Sequence, residues 1–265
     1  MTTAAAHDAP YNADLRENRL FIASVVERIE GWLDRYAALR TIDLLRSQEA
    51  GGVCGPVYEV GLYHGKYFAV LLRSAVITGD RAVGIDSFDY VPREQFDREF
   101  MEQARLGDLG RIGSVDLRIM EGPSRSWTDT EVMAALGAPA RFISIDGSHE
   151  HDDVLWDLQV AERLLSEAGI IAADDYLNPA CLGVNEAINR FLIATPDVVP
   201  FANVANKLFL ARPNRAEQYR DELERCILGD GDEPRSEFYR QQITTGGRRN
   251  VEPILFGRRV MSIPL

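Results

Sequence analysis

Between residues 18 and 45 the apolar positions Phe21, Ile22, Val25, Val26, Ile29, Trp32, Leu33 and Tyr36 recur three and four apart. That spacing lays one apolar stripe along a helix. It predicts one or two helices that stop at Gly51-Gly52. Residues 1–18 are small and polar and read as a frayed end. Beyond Gly52 short continuous apolar runs take over, at 57–62, 81–85, 115–120, 141–145 and 169–173, and each predicts a strand. Helical patterns fill the gaps at 67–76, 92–106, 154–165 and 184–192, and the capping signal Thr128-x-x-Glu131 opens another helix. Runs at 198–201 and 207–211 predict a hairpin with 202–206 as its loop.

Strands that are apolar throughout are covered on both faces. Their alternation with helices predicts an α/β fold, a mostly parallel sheet with helices on either side. The tail carries one more helix around Ala216, Tyr219, Leu223 and Ile227, a Gly/Arg-rich turn, and one or two short strands. The expected organisation is an N-terminal tail and helical cap over 1–52, a core over 53–212, and a C-terminal extension over 213–265.

The 265 residues suffice for a hydrophobic core without staples. Forty-one acidic against 29 basic residues give a net charge of −12, which opposes docking on nucleic acid or on an anionic membrane. No apolar run approaches the ~20 residues of a membrane span, and the N-terminus lacks a basic start followed by an apolar stretch. The three cysteines are odd in number and form no C-x-x-C, which suits a reducing compartment. These features predict a cytoplasmic protein that handles a small molecule. The cap and the tail are candidate surfaces for forming a homo-oligomer.

In an open α/β sheet ligands bind beyond the carboxyl ends of the strands. There the sequence sets Glu59-x-Gly61-x-Tyr63-x-Gly65, Asp86, Gly122-x-Ser124, Asp146 and Asp174-Asp175. The glycines of the first turn are four apart, which is neither the dinucleotide fingerprint nor a P-loop and argues against NAD and ATP. A tight structural turn explains them as well. Asp86 stands where an acidic side chain accepts ribose hydroxyls, or caps the following helix. Adjacent strands lie ~4.8 Å apart, so Asp146, Asp174 and Asp175 can converge, and carboxylates that close repel unless a cation lies between them. Oxygen donors suit Mg²⁺, Ca²⁺ or Mn²⁺. The alternative leaves Asp146 as a helix cap and the other two in solvent. His149 follows Asp146 by three residues in a polar stretch, and a side chain titrating near ~6.5 suits a general base. His151, Asp152 and Asp153 open the next helix, and His64 has no assigned chemistry.

Over residues 57–212 these motifs resemble class I S-adenosylmethionine-dependent methyltransferases, of the metal-dependent O-methyltransferase kind. The macrolide-sugar enzymes of macrocin and mycinamicin type are the nearer resemblance and catechol O-methyltransferases the more distant one. The resemblance implies a Rossmann-like doubly wound sheet of seven strands, mostly parallel with an antiparallel last strand. It implies S-adenosylmethionine on Glu59, Gly61, Tyr63 and Gly65, with Asp86 at the ribose and Gly122 and Ser124 beside the adenine. Asp146, Asp174 and Asp175 would hold Mg²⁺ or another hard divalent cation. His149 and Asp146 would be catalytic, His149 as base where catechol enzymes use lysine. The implied acceptor is a hydroxyl of a sugar or glycosylated small molecule. A phenolic acceptor, a metal-independent methyltransferase and a hydroxylase-type accessory protein on the same fold are the alternatives. The first turn lacks the middle glycine of the wider superfamily, and the tail beyond Arg212 has no counterpart.

Overall fold

The computed structural model describes residues 8–106 and 115–264. The first seven residues of the expected frayed end lie outside them. Helix α1 (Asp8–Ser24) already includes the rest of that end, a 3-10 turn (Val26–Arg28) follows, and α2 spans Arg35–Ala50. The core alternates β1 (Val57–Val60), α3 (Lys66–Thr78), β2 (Ala82–Asp86), α4 (Arg93–Leu106), β3 (Leu117–Glu121), α5 (Asp129–Leu136), β4 (Ala140–Ile145), α6 (His151–Leu164), β5 (Leu165–Ala173) and α7 (Leu182–Ala194). The hairpin is β6 (Val199–Val204) and β7 (Lys207–Ala211). The tail forms α8 (Pro213–Gly229), α9 (Pro234–Thr244), α10 (Arg248–Val251), a small pair β8 (Ile254–Leu255) and β9 (Arg258–Arg259), and β10 (Met261–Ile263).

The main sheet has the order β10-β6-β7-β5-β4-β1-β2-β3. Only β7 runs antiparallel to its neighbours in that sheet. The sheet carries one strand more than the seven expected, because β10 from the tail pairs in parallel with β6. Strand β5 starts at Leu165, before the predicted Gly169, where a bulge shifts its register against β4 between Ala140 and Phe142.

Alternate residues of β4 feed two cores. Phe142 joins Phe68, Phe201 and Phe209 under α2, α3 and α8. Ile143 and Ile145 join Leu158, Ile188 and Leu210 under α6 and α7. This is the inside–outside alternation of a sheet covered on both faces.

The cap and the tail are tied by charge. Asp230 at the end of α8 is fully buried and pairs with Arg40 of α2 at 3.0 Å and with Arg19 of α1 at 2.5 Å. The Tyr36 hydroxyl meets Ser236 at 2.9 Å. Removing one partner of such a buried pair is costly, so the contact fixes where the tail sits. Among the described residues no helix is long and apolar enough to cross a membrane.

The chain order reverses between β1 and β4, and the carboxyl ends of these two strands open the crevice where ligands of such sheets bind.

Candidate active site

Gly61 leaves β1 at φ +87°, and a Cβ there would lie 2.0 Å from the carbonyl oxygen of Asp146. No other residue lets the first turn pack directly on the end of β4. The carboxylate of Asp86 then pins the turn from the β2 side: Oδ2 accepts from the backbone N–H groups of Leu62 (2.6 Å) and Tyr63 (2.9 Å), and Oδ1 from Phe88 (2.6 Å). Gly65, at φ +83°, caps α3, and a Cβ there would meet the Phe100 ring at 2.5 Å. Its glycine is therefore required by packing against α4.

Trp32 departs from the predicted apolar stripe. Gly31 turns the chain at φ +132°, and the indole is 88% exposed and stacks on Tyr63 at 5.7 Å. Lys66 holds this loop over the turn by donating to the Gly31 carbonyl at 2.9 Å.

Gly122 N–H donates to the Asp86 carbonyl at 2.8 Å, which places the Gly122-Pro123-Ser124 bend beside β2. Ser124 hydrogen-bonds to Asp157 of α6, and burial pushes this carboxyl up to about 7. Between an unfolded value of about 4 and that folded value, the native state holds a proton the unfolded chain lacks. Asp157 therefore contributes stability at acid pH that is lost as pH rises towards neutrality. Asp157→Asn removes this dependence. We expect its melting temperature to exceed wild type at pH 8 and not at pH 5, as scanning calorimetry at both values will show.

The acidic residues divide into two groups. Asp146 and Asp174 hydrogen-bond to each other, and the buried ammonium of Lys207 lies 2.6 Å from Asp174 and 3.7 Å from Asp146. Lys207 also sits 4.1 Å from the centre of the Tyr67 ring, a cation–π contact. Burial works against its charge, but Asp174 and Asp146 override it and keep the amine protonated. Glu59 faces the same cluster, fully buried, and accepts from Ser144 Oγ at 3.2 Å. Desolvation raises its carboxyl to about 8 despite Lys207. Burial and Asp174 likewise push Asp146 well above the usual carboxylate range.

Asp175 turns the other way, at φ +57°. Its Oδ1 accepts from the amides of Asn206 (2.7 Å) and Asn178 (2.9 Å), and its Oδ2 faces His149 Nε2 at 3.0 Å. The hydrogen bond to Asp175 raises the imidazole's proton affinity and lowers that of the carboxylate. Cys181 completes this corner, its Sγ 3.8 Å from the same Oδ2. Among the described residues, the three metal-ligating side chains whose donor atoms gather within 4.8 Å of one another are His149, Asp175 and Cys181. The strand ends alone group Asp175 with Asp146 and Asp174, whereas in the fold it faces His149. Lys207, Asn206, Asn178 and Cys181 belong to none of the sequence motifs. Lys207 left one signal: it opens a strand that is otherwise entirely apolar, and a lysine there must find an acidic partner.

Residues 58–176 match the family model of a methyltransferase domain. Over that span the chain is similar to a methyltransferase domain. Its solved structural neighbours agree on the fold, that of class I S-adenosylmethionine-dependent O-methyltransferases. CalS11, a TDP-rhamnose 3'-O-methyltransferase of calicheamicin biosynthesis, superposes with a TM-score of 0.54 at 15% identity, over 79% of this chain and 96% of that one. The O-methyltransferase NovP gives 0.53 at 14% identity, over 76% and 99%. An O-methyltransferase from Bacillus cereus, in complex with SAH, gives 0.52 at 14% identity, over 78% and 92%. No curated protein matches the sequence. The matched span of the methyltransferase domain holds Glu59, Asp86, Ser124, Asp146, His149, Asp174 and Asp175, so the glycine turn and both acidic groups belong to it.

Proposed function

We propose that this methyltransferase moves the methyl group of S-adenosylmethionine to a hydroxyl of a sugar or glycosylated small molecule, with His149 as general base. The observation that carries this reading is the His149–Asp175 pair, 3.0 Å apart beyond the carboxyl ends of β4 and β5, with β4 the strand that Gly61 packs against. With Nε2–H directed at Asp175, Nδ1 is the free acceptor for the hydroxyl proton, and the carboxylate stabilises the imidazolium that forms. The attacking oxygen then meets a methyl group already activated by the sulfonium. Glu59, Gly61, Tyr63 and Gly65 shape the cofactor turn, Asp86 serves the ribose, and Gly122 and Ser124 serve the adenine. The exposed Trp32 ring beside Tyr63 offers a flat apolar face to an acceptor. CalS11, named for a sugar nucleotide, supports a sugar over a phenol.

The acidic cluster has room for a divalent cation in its charge balance. Glu59, Asp146 and Asp174 set three carboxyl groups against the single ammonium of Lys207. Two further positive charges balance them, either as two protons or as one divalent ion, and oxygen donors suit a hard one. Asp146 and Asp174 are the residues that would hold Mg²⁺, whereas Asp175, expected as their third partner, faces His149 and would join them only by turning away from it. When bound, such an ion supplies Lewis-acid and template chemistry to the acceptor oxygen. His149 takes the proton in either case.

The test is methyl transfer to a panel of sugar nucleotides and glycosides, followed as a gain of one methyl group in the product mass. Excess chelator is expected to stop turnover and added Mg²⁺ to restore it. Full turnover in chelator would assign the reaction to the His149–Asp175 pair without a metal. Absence of any methylated sugar or glycoside would overturn the acceptor class.

A further inference from the structure

We propose that His149, Asp175 and Cys181 form a binding site for a borderline divalent metal ion, zinc or cobalt(II), whose occupancy silences His149. The site differs in chemistry from the oxygen donors of Asp146 and Asp174. It offers one imidazole nitrogen, one carboxylate oxygen and one sulfur, the donor mixture that selects zinc-like ions over magnesium.

The geometry is close to what such an ion requires. Zinc bonds of about 2.0 Å to nitrogen and oxygen and about 2.3 Å to sulfur, at tetrahedral angles, separate N from O by roughly 3.3 Å and S from O by roughly 3.5 Å. Here His149 Nε2 lies 3.0 Å and Cys181 Sγ 3.8 Å from Asp175 Oδ2. The remaining pair also falls within 4.8 Å. Small side-chain shifts bring all three onto one ion.

The surroundings fix the ligands in place. The amides of Asn178 and Asn206 both donate to Asp175 Oδ1, which leaves Oδ2 directed at the other two donors. Cys181 is buried at the N-cap of α7, where burial and the neighbouring Asp175 hold its thiol protonated until a metal ion takes the proton's place. Metal binding displaces the thiol proton to solvent, where it is taken up by buffer. The side chain of His149 is half exposed, so the fourth coordination position faces water. An ion here engages Nε2 and breaks the His149–Asp175 hydrogen bond on which the base depends. The site needs only these three side chains and stands apart from the identity of the methyl acceptor.

The experiment uses the full chain, stripped of metal and titrated with Co²⁺. We expect one equivalent to bind with a thiolate-to-cobalt charge-transfer band in the near ultraviolet and the visible bands of a tetrahedral site. Cys181→Ser should lose the charge-transfer band and bind Co²⁺ about tenfold or more weakly, in line with loss of the soft ligand. A Cys54→Ser/Cys226→Ser variant should keep the band. Absence of the band in wild type, or its survival in Cys181→Ser, overturns the site. Measured against its own zinc-free rate, Cys181→Ser should need about tenfold more zinc for half-inhibition of methyl transfer. Equal zinc sensitivity of the two proteins overturns the claim that occupancy silences the base. The cobalt bands report on the site even if no acceptor is turned over, so failure of the sugar assignment reads out separately.

Discussion

His149→Ala is expected to lower kcat by about 10²- to 10⁴-fold, the range for losing a positioned general base, while S-adenosylmethionine binding stays close to wild type. The imidazole stands on the segment between β4 and α6, and its contact is with Asp175 rather than with the glycine turn or Asp86. Steady-state kinetics together with calorimetric cofactor binding check both halves. Asp175 gives the prediction a signature in pH. Its hydrogen bond raises the proton affinity of His149. The rising limb of the kcat profile, where the imidazole loses its proton, should therefore lie above the ordinary ~6.5 of histidine. Asp175→Asn removes the negative charge, so the limb should move to lower pH even as kcat falls. An unchanged limb in Asp175→Asn would show that another group sets the profile, and an unchanged kcat in His149→Ala would remove histidine from the mechanism.

Lys207→Met is expected to destabilise the fold by about 3–5 kcal/mol near neutral pH, the cost of leaving buried charge without its partner. The thioether fills much of the volume of the lysine stem, so the loss is mainly of charge. Asp174, Asp146 and Glu59 then share a buried site with no cation. Their native carboxyls must take up protons that the unfolded chain sheds above about pH 4. The sign follows from linkage: native-state proton affinities above the unfolded ones give stability that is present in acid and lost as pH rises. Denaturant unfolding should show a much larger deficit at pH 8 than at pH 5. An equal deficit at both values would mean that Lys207 acts through packing on Tyr67 instead.

The strand ends show how far one-dimensional pattern carried. Asp86, Asp146 and Asp174 each close an apolar run, and each stands at the carboxyl edge of the sheet, because the length of a buried strand fixes where polar residues can first appear. The α/β order and the β6–β7 hairpin follow from the same periodicity. The cap was less legible. The stripe from Phe21 to Tyr36 predicted one or two helices without marking where the first would stop. The structure ends α1 at Ser24, and in the linker before α2 Gly31, with a backbone conformation that L-residues avoid, turns Trp32 out over Tyr63.

By itself the sequence determined the layered architecture, the edge at which chemistry is placed, and the set of acidic and imidazole groups available there. Only the tertiary structure decided how these groups are partnered. Lys207 arrives from β7, which lies two strands from β4 with β5 between them, and neutralises Asp146 and Asp174. Asp175, adjacent in sequence to Asp174, rotates through a left-handed backbone towards His149 and Cys181. Periodicity is a local property that the chain records along its length. Charge pairing depends on which distant side chains share a few ångströms of low-dielectric space, and that is set by sheet order and backbone rotation at single residues.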